Sequence, residues 1–412
     1  MDLVALAVPF FLLAIGLEIV WGLWRGCNTY RLNDSFSSLM LGILSQAQKF
    51  VALGLGGVVY DHIVGLTGGA LWDEAYWLTW IVAFVLYDLC YYWLHRLGHE
   101  RQLLWAAHVA HHQSEEYNLS TALRQTSTGF LLGWVFYIPM YAIGIPATVV
   151  VTVGALNLIY QFWVHTRHVP ELGWFEYVFV SPSNHRVHHA QNDIYLDRNY
   201  GGVFIIWDRL FGTYQRELPS EPCVYGIRGP IRSWNPLVAL THIYCDMLSD
   251  MRHAASWADK LRVLWARTGW QPKDVQAQWP RQKSDLNAFQ PFDPPTSTLT
   301  RWFGALQIVG ATGLLAWGQF TPLSQLGYWA WWLLLVLTGV STAWWLENRP
   351  APRCLAVEIP RLVLLGAGIG FVATAGWSIA GAVWWLASAI MVAIMTVAPG
   401  APKNELKAVE PV

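Results

Sequence analysis

Three stretches of the chain carry no aspartate, glutamate, lysine, arginine or histidine: residues 127–164, 302–346 and 362–402, runs of 38, 45 and 41 positions. A helix needs about 20 apolar residues to cross a bilayer, so each run is long enough for two crossings. Gly144 to Pro146 breaks the first run, Thr321 and Pro322 the second, and Gly376 with its neighbours the third, which predicts three helical hairpins. Residues 3–24, 36–60 and 76–97 predict single spans, the second with Gln46, Gln48 and Lys49 near its middle. The total is about nine crossings. Residues 3–24 are expected to be a retained span rather than a signal peptide, because no basic n-region and no A-x-A site accompany them. Between 269 and 299 Gln, Pro, Asp and Lys replace apolar periodicity, which marks a linker. The expected organisation is therefore N-terminal transmembrane helices (1–75), a histidine-bearing domain (76–268), the linker (269–299) and a C-terminal transmembrane block (300–400).

Threading these spans alternately puts 25–35, 98–126, 165–301, 347–361 and the tail with Lys403 and Lys407 on one side. All 26 Lys and Arg residues then fall on that side or inside a span. The opposite loops, near 61–75, 144–147, 320–326 and 375–378, carry none, so the first side is expected to be cytoplasmic. Composition agrees with a membrane protein, since 54% of residues are hydrophobic and 13% charged, against about 25% charged in soluble domains. A net charge of −1 leaves no basic surface to hold nucleic acid by its phosphates, so polynucleotide is excluded as a partner. The five cysteines stand alone, without a C-x-x-C pair suited to zinc or an iron–sulfur cluster. The near-neutral balance and 26 tryptophans suit a bacterial inner-membrane protein.

Ten of the thirteen histidines lie between residues 95 and 189. His95 and His99 stand at i and i+4 where the third span ends, so both project from one helix face. His108, His111 and His112 form H-x2-HH, and His185, His188 and His189 repeat it. His165 ends the fifth span on the same side. One histidine is ordinarily a satisfied polar or interfacial side chain, and His62, His168, His242 and His253 are read that way. Three clusters at one membrane depth are what a pair of metal ions requires. The count is too high for one zinc, which takes about three or four ligands. Two irons with open positions for dioxygen fit it better.

These boxes resemble the fatty acid hydroxylase / sterol desaturase superfamily of membrane di-iron oxygenases, and within it the alkylglycerol monooxygenase branch. The likeness is carried by Tyr92-Trp93-Leu94-His95-Arg96, His99-Glu100, Trp105-Ala106-Ala107-His108, the stretch from His111 to Gln125, and Tyr160 to Thr166. The third box and the segments Asn199-Tyr200-Gly201-Gly202 and Ile206 to Thr213 complete it. The resemblance is dense over about 85–215. It implies that residues 76–268 are the catalytic domain and that His95, His99, His108, His111, His112, His165, His185, His188 and His189 are the ligands of two iron ions. It also implies that Glu100 serves catalysis and the tetrahydropterin that donates electrons, with Glu116 on the cofactor side and Asp208 among the catalytic residues. Glu115, Asn118, Arg124 and Asn199 match family positions too, and such polar neighbours orient imidazoles. His168, one turn beyond His165, is a departure and leaves open whether it joins the metal site. The implied reaction uses O2 to hydroxylate the carbon beside an ether oxygen of an alkylglycerol, giving a hemiacetal that falls apart to a fatty aldehyde and glycerol.

The expectation is an all-α, polytopic membrane helical bundle with a cytoplasmic, histidine-rich di-metal cap, acting on a lipid that enters from the bilayer. The alternative within the same class is a hydroxylase or desaturase of fatty acyl, sterol or aminolipid chains, fed by a small redox protein. A metal transporter would line the membrane interior with ionisable residues, and the three long apolar runs contain none.

Overall fold

A computed structural model describes residues 3–370 and 375–397, so the expected tail lysines Lys403 and Lys407 lie outside the described residues. Among the described residues the architecture is helical, with three isolated bridges and no strand. In chain order the helices are α1 (Leu3–Trp24), α2 (Leu32–Ala47), α3 (Lys49–Thr67), α4 (Trp77–Glu100), α5 (Gln102–Ala106), α6 (Val109–His112) and α7 (Leu119–Ala122). Then come α8 (Phe130–Gly133), α9 (Ile138–Ala142), α10 (Ala147–Trp163), α11 (Pro182–His189), α12 (Ile206–Phe211) and α13 (Pro236–His253). The chain continues through α14 (Trp257–Trp265), α15 (Lys273–Gln278), α16 (Thr298–Phe320), α17 (Gln325–Leu346), α18 (Ala351–Ile369) and α19 (Ala375–Val397).

Among the described residues four helices are long and apolar enough to cross a membrane, at Leu3–Trp24, Trp77–Glu100, Gln325–Leu346 and Gly376–Val397. Of the roughly nine crossings that the sequence predicts, these four meet that length and apolarity. The span expected at 36–60 is two helices that part at Gln48, in the polar stretch noted in its middle. The first arm of the 127–164 hairpin is a short apolar helical stretch, Phe130–Ala142, and it and α10 are both shorter than a full crossing. The segment 347–361, expected as a cytoplasmic loop, is mostly the start of α18, where Glu358 and Arg361 are fully buried.

The break at Gly144 is where the sequence placed it. Gly144 sits at φ 74°, a conformation that disfavours side chains, and a Cβ there would stand 2.7 Å from the Leu71 backbone nitrogen. The second break also falls as expected, between α16 and α17; of the third, Gly376 lies inside α19, and residues 371–374 lie outside the described residues. Ser297 and Ser324 start α16 and α17 by accepting from the amides of Thr300 and Gly327.

The chain divides into two compact units. The first comprises residues up to 31, 48–231 and 239–290, and contains every expected site residue. Its apolar core lies among α3, α4, α9 and α10, where Val64, Ala83, Met140, Val149 and Val153 are buried. α1 joins it through the rings of Phe11 and Phe162, stacked at 4.1 Å. The second unit comprises 32–47, 232–238 and the residues from 291 onward. There α2 packs with α16 and α17 around Phe36, Met40, Leu44, Ala311, Leu335 and Val340.

Candidate metal centre

The end of α4, the single turn α6 and the capped helix α11 carry the boxes. α11 opens on Ser181, whose side chain accepts from the Asn184 amide while Asn184 reaches back to the Ser181 amide, and Pro182 holds the first turn. That start fixes the rotation at which His185, His188 and His189 leave the helix. α6 is a single turn, and the fully buried Arg124 holds it by donating from Nε to the Ala110 carbonyl at 2.8 Å. α4 ends because Arg101 is extended, which leaves His95 and His99 on its last two turns.

All nine expected histidines come together, in two groups. His95, His99, His108, His112 and His188 form one; His111, His165, His185 and His189 form the other. Within each group the ligand atoms lie within 4.8 Å of one another. Each H-x2-HH box splits between them. The second box gives its i,i+4 pair, His108 and His112, to the first group and His111 to the second. The third box gives its i,i+4 pair, His185 and His189, to the second group and His188 to the first. The groups share a wall, where His112 and His189 stack at 4.3 Å.

The tautomers follow from the backbone. Nδ1 of His95, His111, His165 and His188 lies 2.8, 2.9, 2.8 and 2.9 Å from the carbonyls of Tyr200, Arg124, Gln161 and Arg198. A carbonyl only accepts, so each Nδ1 donates and each Nε2 keeps its lone pair. His111 Nε2 and His165 Nε2 nonetheless face each other at 3.3 Å, lone pair to lone pair. His165 and His185 approach at 3.1 Å, His185 and His189 at 3.2 Å, and His108 and His112 at 3.1 Å, all through Nε2. Two nitrogens on one ion at about 2.1 Å, spaced between a right angle and a tetrahedral angle, stand about 3.0–3.4 Å apart. Nε2 of His95, His99 and His188 is buried without any partner. A cation in each group would satisfy all of these atoms, so the residues fit a pair of metals. Both groups consist of imidazole alone, a donor set that suits iron, copper, nickel or zinc.

Electrostatics keep the donors ready. Burial first, then the neighbouring imidazoles, holds His108, His112 and His189 well below the usual imidazole range, and burial pushes His111 down to about 4. Neutral imidazole is the form that binds metal.

The other expected residues take distinct places. Glu100 pairs with Arg96 at 2.9 Å and stays partly exposed at the end of α4. Glu116 is gripped by Arg31 at 2.7 Å and Arg167 at 2.5 Å. Asp208 accepts from the amides of Tyr200 at 2.7 Å and Gly201 at 2.8 Å and from the Thr213 hydroxyl at 2.7 Å, so it anchors the loop that supplies the carbonyl for His95. Asn199, at φ 56°, ties that loop to the Asn184 carbonyl of α11. Among the described residues His168 belongs to neither group; its Nδ1 lies 4.0 Å from Cys27 Sγ.

Three anchors were not singled out from sequence. Glu18 on α1 accepts from the Tyr30 hydroxyl, from the Leu119 amide at 2.8 Å and from the Thr166 hydroxyl at 2.5 Å, beside His165. Asp88 on α4 accepts from Asn157, from the amides of Val203 and Phe204, and from Trp207 Nε1. Arg186 on α11 donates to the carbonyls of Thr166 and Val169 and pairs with Glu217 at 2.7 Å. The signal for the first two was a lone carboxylate inside an apolar span.

A helical membrane protein with two adjoining all-histidine cages defines a class of integral-membrane metalloprotein whose centre lies where spans end. Comparison with known proteins makes this specific. A family model for fatty acid hydroxylase matches residues 80–213. The human alkylglycerol monooxygenase is 33% identical over 356 residues, 85% of this chain and 79% of that protein. The enzyme of the same name from Xenopus tropicalis is 31% identical over 92% of this chain and 89% of its own length. An ornithine lipid hydroxylase from Rhizobium tropici is 28% identical over 49% of this chain and 63% of that protein. No solved structure matches. The chain belongs to the fatty acid hydroxylase family, in the branch of the alkylglycerol monooxygenases, and is an oxidoreductase, a membrane lipid monooxygenase.

Proposed function

We propose that the protein is a di-iron monooxygenase that opens the ether bond of alkylglycerols. One observation carries the reading: nine neutral imidazoles in two adjoining groups, with facing lone pairs that only cations reconcile. The full-length similarity to alkylglycerol monooxygenases supports the substrate class. His95, His99, His108, His112 and His188 would hold one iron, and His111, His165, His185 and His189 the other. When bound, the irons supply the activation of dioxygen.

The remaining work belongs to the chain. The reaction takes up O2, an electron pair and two protons, hydroxylates the carbon beside the ether oxygen and releases the second oxygen atom as water. The hemiacetal then collapses to a fatty aldehyde and glycerol. Backbone carbonyls aim the Nε2 atoms of His95, His111, His165 and His188 inward, and burial excludes bulk water from the cages. Glu100, partly exposed at the end of α4, would be the residue that holds a tetrahydropterin, which would supply the electrons. Glu116, with both oxygens taken by arginines, braces the second group from the cofactor side. Asp208 acts by positioning the Tyr200 loop. The cages face the cytoplasm of a bacterial inner membrane, a placement supported by the distribution of Lys and Arg among the loops.

A second reading, hydroxylation of an aminolipid chain, has support in the ornithine lipid hydroxylase from Rhizobium; its electrons would come from a small redox protein. An assay for fatty aldehyde separates the two. Membranes holding the protein receive an alkylglycerol, reduced pterin and oxygen, with His188→Ala as control. Aldehyde from the unaltered protein alone is the expected result. No aldehyde from protein that holds two irons per chain would move the substrate to another lipid or the electrons to another donor.

A further inference from the structure

α14 is a short helix with an unusual outer face. Val263 is fully buried against Ala106 and Met247, which seats the helix on the first unit. Trp257, Leu261 and Trp265, spaced by four, are 78%, 64% and 55% exposed. At about 100° per residue these three share one arc, with Lys260 and Arg262 on its two flanks and Val263 away from it. Lys260 Nζ stands 5.0 Å over the Trp257 ring, and Arg262 Cζ 4.7 Å over Trp270.

The place of α14 matters as much as its pattern. Its C-terminal end is bonded to the end of the membrane span α4. The Gln102 amide donates to the Ala266 carbonyl at 3.0 Å, the Arg101 guanidinium donates to the Trp265 carbonyl at 3.3 Å, and Arg101 bridges to Arg267. The Thr268 hydroxyl donates to the His99 carbonyl and the Thr268 amide to that of Glu100. Since α4 leaves the bilayer at these residues, the exposed stripe is held at the height of the lipid headgroups.

We propose that α14 lies in the plane of the membrane surface, with Trp257, Leu261 and Trp265 sunk between headgroups and Lys260 and Arg262 on lipid phosphates. An apolar stripe flanked by cations is the pattern of interfacial helices, and tryptophan favours that layer. The stripe is too small for a stable protein partner: three side chains offer roughly a few hundred Å2, against about 800 Å2 per partner in a specific interface. The bilayer is the surface already continuous with α4. Through Thr268 and Arg101, α14 then fixes the depth at which His99 and its group stand relative to the lipid.

The test uses the full chain with Cys27 and Cys245 replaced by serine, in nanodiscs of phosphatidylcholine and phosphatidylglycerol. A nitroxide is attached at Leu261→Cys or, on another face, at Asp259→Cys, in variants that keep the parent's thermal midpoint. Relaxation by oxygen and by a water-soluble nickel chelate reads the surroundings. Oxygen should dominate at 261 and the chelate at 259. Dominance of the chelate at 261 would overturn the proposal by putting the stripe in water. An immobile label at 261 that neither reagent reaches would overturn it in favour of a protein partner.

Discussion

Replacing Glu18 by alanine removes a carboxylate from α1 that three donors share, the part-buried Tyr30 hydroxyl and Leu119 amide and the buried Thr166 hydroxyl. A buried donor left unsatisfied costs about 1–3 kcal/mol. The hydroxyls can rotate toward other acceptors and the amide cannot, so the loss should total about 3–5 kcal/mol. Its effect should be local, because Thr166 follows His165 and Leu119 begins α7. Loss of an outer hydrogen bond to a metal site weakens binding about 10–100-fold. The expected outcome is a four-histidine group that loses its metal to a chelator at 10–100-fold lower concentration of competitor, roughly the same factor, while the five-histidine group keeps its own. Metal per chain, measured against rising chelator, should fall in two separated steps where the parent loses both together. Glu18→Gln, which retains one acceptor oxygen, should lie between. A variant with a lowered thermal midpoint but an unchanged chelator profile would refute the reasoning and leave Glu18 a stability residue only.

Exchanging His188 or His189 for alanine takes one ligand from a different group in each case; turnover should fall in both by more than the 10–100-fold or so of an outer-sphere loss, and metal analysis should show the five-member group depleted by the first and the four-member group by the second. In the metal-free protein His111 is held down to about 4, whereas an unfolded chain takes up its proton near 6.5. Its neutral form therefore supports the fold fully above 6.5, and that support drains away as pH falls from 6.5 toward 4, worth about 3 kcal/mol at the end of the window; thermal midpoints of stripped protein across that range check it, and a flat profile would contradict it. In the second unit Arg361 and Glu358 form a fully buried pair at 2.6 Å, with Ser341 donating to Glu358 at 2.6 Å. Arg361→Met should cost about 3–5 kcal/mol, most of it recovered when Glu358→Gln is added, as denaturation of the full chain would reveal.

The histidine cage was legible because its signal is spacing. Residues at i and i+4 leave one helix face whatever the rest of the chain does, so H-x3-H and H-x2-HH announced convergent donors before any packing was known. What spacing left open was the assignment to two groups, since His111 and His112 are equally near in sequence to every other box. Hydropathy found the breaks at Gly144 and Pro322 but marked more spans than the four described helices that are long and apolar enough to cross. A run without charge does not reveal that the helical stretch 130–142 is too short to cross, nor that Gln48 ends one helix and begins another. Glu358 and Arg361 were read as a loop because charge suggests water; their mutual pairing lets α18 carry both inside. Asp208 was recognised as important by its position, but only its two amide partners reveal it as a loop anchor.

The interleaving of the boxes also bears on how this stretch can change through evolution. His111 and His112 are neighbours in the chain and serve different cages, as do His188 and His189. A single inserted or deleted residue turns everything beyond it by about 100° about the helix axis, so one such event between His108 and His111, or between His185 and His188, would misdirect donors of both cages at once. No intermediate with one intact centre lies along that path. Length is therefore held inside the boxes by the helix rotation that aims their donors at two centres at once.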